Sequence, residues 1–137
     1  MTPSAFNTVL WRIVAVSGDN YFEGYASVLD ADRRIDFDRF PRGLALLQRL
    51  HGDENVERIA WFSRGFYKLA LRGDQAVITD LRMGSEPAYT FNFVIARQEA
   101  GGMRPVVPLA IVERPDVDRV LPWLWRRLLG ERVVPPR

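Results

Sequence analysis

A chain of 137 residues and 15.7 kDa, 47% hydrophobic, 26% charged and with a mean hydropathy of −0.13, has the composition of one ordinary folded domain. It is too apolar for disorder and too short for two independent cores. The absence of Cys excludes disulfides, zinc-thiolate and iron–sulfur centres and cysteine nucleophiles, and favours no redox compartment. The 19 basic residues include one lysine, Lys68, and face 17 acidic ones for a formal charge of +2. Because acids and bases interleave, this does not make the basic stripe that a phosphate backbone needs, and no nucleic-acid partner is expected. Apolar runs are far short of the roughly 18 residues of a membrane span, and no charged-then-apolar leader precedes Phe6, so the chain as written reads as neither spanning a membrane nor carrying a signal peptide.

Alternation over Val9–Val16 and Tyr21–Leu29, broken at Ser17-Gly18-Asp19-Asn20, predicts a β-hairpin that pairs Val16 with Tyr21. This register puts Val9, Trp11, Ile13 and Ala15 with Phe22, Gly24, Ala26 and Val28 on an expected core face. Arg12, Tyr21, Glu23 and Tyr25 fall on the expected wet face, where an Arg12–Glu23 pair would contribute well under about 1 kcal/mol. A first helix is predicted over Phe40–Leu50, with Asp38 as cap, Pro41 in the first turn and Gly52 as stop.

Strand patterning returns at Val56–Phe62, Phe66–Arg72, Ala76–Met83 and Thr90–Gln98. A Gly73-Asp74 loop would set Leu71 against Ala76, Leu69 against Ile78, Tyr67 against Asp80 and Gly65 against Arg82. Glu99–Pro108 reads as a Gly/Pro loop and Leu109–Val112 as a short strand. A final helix starts near Asp116 or Asp118, with Val117, Leu121, Leu124 and Leu128 as its stripe, Gly130 as its stop, and Pro122 expected to reset its start. The whole predicts an α+β fold: a single domain over residues 1–132, mainly an antiparallel sheet of five or six strands with two helices packed on it, and an irregular tail over 133–137.

Chemistry is sparse. His51 is the only histidine, which leaves no histidine dyad or HExxH helix, and beside Gly52 it reads as a helix-end residue rather than a catalytic one. The carboxylate pairs Asp30/Asp32 and Asp36/Asp38 match no EF-hand loop; they suit turns and caps, with a cation site as the alternative. No phosphate loop or nucleophile elbow is present. The Trp-rich end, Trp123–Leu129, suits a helix docked on the sheet or, alternatively, one lying on a membrane surface. Tyr67, Asp80 and Arg82, with Arg64 nearby, form the best internal site candidate. A carboxylate beside a guanidinium at a half-buried sheet end can hold an anionic or hydrogen-bonding ligand, or simply tie the strand end to its turn.

The segment Trp61-Phe62-Ser63-Arg64-Gly65-Phe66-Tyr67, followed by Ile78-Thr79-Asp80-Leu81-Arg82-Met83-Gly84, resembles the C-terminal soluble region of the inner-membrane metal-dependent hydrolases, a bacterial family also described as LexA-binding hydrolases. Phe6–Arg12, Tyr21–Tyr25 and Trp123–Arg126 resemble its flanking parts, so the resemblance covers nearly the whole chain. In that family the hydrolase label belongs to an N-terminal membrane-embedded part with several spans and metal-suited His and Asp residues. The resemblance therefore implies no catalytic and no metal-binding residue on this chain, and no cofactor of its own, although a divalent metal is implied for the parent. It implies an accessory domain for recognition or regulation, partnered by the membrane-embedded region of the same polypeptide and by a possible protein partner. Its implied place is the inner membrane, with the arginines leaning to the cytoplasmic side. The alternative is a free-standing small-ligand or protein-binding module using Arg64, Tyr67, Asp80 and Arg82.

Overall fold

The computed structural model describes residues 2–3 and 8–137; Phe6 and Asn7 of the resembling N-terminal segment lie outside the described residues. The fold is α+β and mainly antiparallel sheet, as expected. Two compact units divide it: residues 1–17, 21–40 and 115–137, and residues 18–20 and 41–114.

The first unit is built on a sheet ordered β1-β2-β3-β4, with β1 Thr2–Pro3, β2 Leu10–Ser17, β3 Asn20–Ser27 and β4 Phe37–Pro41. The expected hairpin forms: Gly18 turns with φ 54°, and Val28 N–H donates to Val9 O at 2.9 Å, the frame that pairs Val16 with Tyr21. Its faces, however, are the reverse of those expected. Leu10, Arg12, Tyr21, Glu23 and Tyr25 are buried, whereas Trp11 and Val28 are exposed. Alternation reports the register but not which face is covered. Here the aromatic face is closed by Phe40, whose ring stacks on Tyr21 at 5.2 Å, and by Trp123, which meets Tyr25 edge-on at 4.8 Å.

The final helix of this unit, Val117–Leu128, begins at an Asp116 cap and runs through Pro122 without restarting, because the Asp118 carbonyl that loses its donor sits at an exposed residue. It ends in a Schellman turn, with Glu131 N–H on Arg126 O at 3.1 Å and Gly130 at φ 88°. The expected Val117/Leu121/Leu124/Leu128 stripe is not what docks, since Val117 and Leu121 are exposed. The inward side carries Trp123 and Arg127. Arg127 donates to Asp30 Oδ2 at 2.8 Å and Tyr25 O at 2.6 Å, and Ser27 Oγ donates to Leu128 O at 2.6 Å.

In the second unit a short helix α1, Leu44–Arg49, replaces the longer helix expected from Phe40, because residues 37–41 instead extend the first sheet as β4. Helix α2, Glu54–Phe62, stands where a strand was expected from Val56 to Phe62. Asp53 Oδ1 caps it by accepting from Asn55 N at 2.8 Å and Val56 N at 3.3 Å, and Glu54 and Glu57 sit in the first turn. Val56, Ile59 and Ala60 then recur at i, i+3 and i+4 and join the core. With Val117–Leu128 as α3, the described residues hold three helices.

The second sheet runs β10-β9-β6-β5, from β5 Tyr67–Arg72, β6 Gln75–Asp80, β9 Asn92–Glu99 and β10 Gly102–Ile111, with β7 Gly84–Ser85 and β8 Ala88–Tyr89 as a separate pair. The Gly73-Asp74 turn forms and sets Leu71 on Ala76, Leu69 on Ile78 and Tyr67 on Asp80. Leu69, Ile78, Ile95 and Ala96 on this sheet pack with Leu46, Leu50 and Val56 of the helical segment into the unit's core. The expected 99–108 loop is mostly strand: β10 pairs with β9 from Gly102, and its prolines sit on the sheet edge at a register shift between Pro105 and Leu109.

Candidate functional site

The two segments that carry the family resemblance meet in the second unit. Leu81 N–H donates to Phe66 O at 2.9 Å, which continues the Tyr67–Asp80 pairing past the end of the ladder. Asp80 is buried. Its Oδ1 accepts from the Arg82 backbone N at 2.9 Å and from Arg82 Nε at 3.0 Å, while Oδ2 accepts from Arg82 Nη2 at 2.6 Å. The hydrogen bonds to Asp80 raise the Arg82 pKa above its ordinary value, outweighing desolvation. The Arg82 guanidinium lies 4.8 Å from the centroid of the Phe62 ring.

Tyr67 is also buried, and what covers it is a residue that the sequence did not single out. The Arg42 guanidinium lies 5.0 Å over its ring, donating from Nε to Tyr67 O at 3.1 Å and from Nη2 to Gly65 O at 2.8 Å. Of the four sequence-predicted site residues, Tyr67, Asp80 and Arg82 are thus brought together around the strand end. Arg64 stands apart: it is exposed, and its side chain forms no hydrogen bond or ion pair among the described residues.

The backbone at Arg64 is unusual. Helix α2 ends in a Schellman turn, with Gly65 N–H on Ala60 O at 2.9 Å and Arg64 N–H on Trp61 O at 3.1 Å. This places Arg64 at the left-handed position after the helix, φ 53°, where glycine is preferred and another residue is strained by about 1 kcal/mol or more. Trp61 and Phe62, just before it, are 82% and 55% exposed, and Met83, next to Arg82 on the other segment, is 54% exposed. The motif surface therefore carries exposed aromatic and thioether side chains, with the Arg82 guanidinium both over Phe62 and bound to a buried carboxylate.

The first unit carries a groove that the sequence reading missed, because its walls come from distant segments. About 160 Å³ in volume, it is lined by Glu23, Asp36, Asp38, Trp123, Val133 and Pro135 among others. Hydrogen bonds from Arg34 hold the Asp36 pKa below the usual carboxylate range, with a further lowering from Arg132. Among the described residues no group of three or more His, Asp or Glu side chains is placed to hold a metal ion. No helix among the described residues is long and apolar enough to cross a membrane. Comparison with protein-family models, with curated proteins and with solved structures returns no match.

Proposed function

We propose that this chain is the accessory domain of a bacterial membrane-bound metal-dependent hydrolase, recognising a partner surface and not catalytic by itself. The observation that carries the reading is the meeting of the two resembling segments, with the Arg82 guanidinium over the exposed Phe62 ring and with Trp61, Arg64 and Met83 exposed on those same segments. Exposed aromatics and arginines of this kind are the usual anchors of a recognition surface. A strained Arg64 with no side-chain partner among the described residues further supports a guanidinium kept for an external contact. In this reading this surface binds the membrane-embedded region of the parent protein, on the cytoplasmic side.

The test is co-sedimentation of the purified chain with membranes from its source cells. The chain should pellet, and Trp61→Ala/Arg64→Ala should lose at least about tenfold in binding, in keeping with two anchor residues, while Trp125→Ala should not. A chain that stays in the supernatant, or a double variant that pellets like the parent, refutes the reading. A second reading, a small-ligand module built on Arg64, Tyr67, Asp80 and Arg82, draws support from the Asp80–Arg82 pair at the strand end, next to Tyr67 in the ladder. It requires Arg64→Ala to abolish retention of a small anion by the isolated chain.

A further inference from the structure

The groove of the first unit is lined in part by Arg132, Val133, Val134 and Pro135, which belong to a segment, residues 131–137, that forms neither helix nor strand. What seats them is side-chain chemistry at both ends. Arg132 pairs with Asp32, donates to Asp36 Oδ2 at 2.8 Å and to Arg34 O at 2.9 Å. Arg137 donates to Glu23 Oε1 at 3.2 Å, pairs with Asp38, and lies 4.7 Å over the Phe40 ring. Burial opposes the Arg137 charge, but the bonds to Glu23 and Asp38 outweigh it and raise the pKa. Between the two arginines run Val133, Val134, Pro135 and Pro136, of which Val134 is 84% exposed, and the Trp123 indole Nε1–H donates to Val133 O at 3.1 Å.

This is how peptides are recognised, in a cis arrangement. Consecutive prolines restrict the chain to an extended form at little further entropic cost, an aromatic wall with an indole N–H takes the backbone, and carboxylates clamp a guanidinium at either end. We propose that the groove is a receptor for extended, proline-containing segments flanked by arginines, and that residues 131–137 are its resident occupant, competing with partner segments of the same chemistry. The commitment to this occupant rests on the match of two guanidiniums to four carboxylates, Asp32, Asp36, Glu23 and Asp38, and on the segment already seated there.

The experiment uses the 137-residue chain carrying Arg132→Ala/Arg137→Ala and a labelled synthetic peptide of the sequence Glu131–Arg137, followed by fluorescence anisotropy and by the Trp123 indole resonance. The double variant should bind the peptide more tightly than the parent chain, whose own segment competes. Replacing both peptide arginines by alanine, or adding Asp36→Asn/Asp38→Asn to the receptor, should weaken binding by at least about tenfold, as expected for loss of charge-assisted clamps. A double variant with native circular dichroism that does not bind, or that binds the alanine peptide equally well, overturns the proposal. Because the chain has no cysteine, a nitroxide on Val134→Cys provides a second test that needs no loss of arginine. Excess peptide should displace the labelled segment and sharpen its spectrum, and an unchanged spectrum at saturating peptide likewise overturns the proposal.

Discussion

Replacing Glu23 by Gln keeps the shape of a fully buried side chain and removes only its charge. Arg12 donates to Glu23 Oε2 from Nε at 2.9 Å and from Nη2 at 2.5 Å, and the Tyr25 hydroxyl donates to Oε1 at 3.2 Å. The Arg12 and Glu23 side chains are 4% and 0% exposed. Removing one partner of a buried pair costs about 3–5 kcal/mol, because the other charge stays in a poorly solvating site, whereas an exposed pair is worth about 0–1 kcal/mol. Glutamine keeps an amide oxygen that can still accept from Arg12, so the lower end applies, about 3 kcal/mol, or a fall of about 6–12 °C in Tm for a chain of this size. Urea unfolding followed by tryptophan fluorescence measures it. Arg12→Met/Glu23→Leu, which leaves no unpaired charge, should lie closer to wild type than Glu23→Gln does. A Glu23→Gln loss within about 0.5 kcal/mol, the range of an exposed surface substitution, would refute the buried-pair account and return the hairpin to the opposite facing.

Arg64→Gly should raise unfolding stability by about 0.5–1 kcal/mol by relieving the left-handed backbone, less glycine's larger unfolded entropy, while reducing binding to membranes; calorimetry and co-sedimentation read the two separately. At Gly43, φ 74°, an added Cβ would stand 2.1 Å from Leu69 O, so Gly43→Ala should cost more than about 2 kcal/mol by denaturant titration. Asp30 has its pKa lowered first by the Arg127 hydrogen bond, against desolvation. The stability it contributes is therefore complete above its unfolded value of 3.8 and is lost as pH falls through the lower folded value. Unfolding measured from pH 6 to 2 should show a smaller acid loss in Asp30→Asn than in the parent chain.

The legible parts of this fold are those set by local chemistry. Gly73-Asp74 fixes a two-residue turn, and the register that follows from it places Tyr67 against Asp80. Asp116 and Gly130 bracket the last helix for the same reason. The readings that missed are those settled by distant partners. Residues 56–62 have both an apolar run and a capped helical pattern, and the Asp53 cap with the i, i+3, i+4 burial decides for helix. The hairpin's facing depends on Phe40, Trp123 and Arg137, 13 or more residues beyond Ser27, and on a charge pair whose burial no alternation pattern announces. At the candidate site, proximity of Tyr67, Asp80 and Arg82 followed from the turn. The Arg42 cover on Tyr67 did not, because it reaches across 25 residues of sequence.

The central claim is that this domain works as part of a larger membrane-bound protein. An antibody raised against it, used on a blot of fractionated source cells, measures both size and location. The account predicts a band well above 15.7 kDa in the membrane fraction. A soluble band at 15.7 kDa would contradict it and leave the patch around Trp61 and Arg64 as the binding surface of a free-standing module.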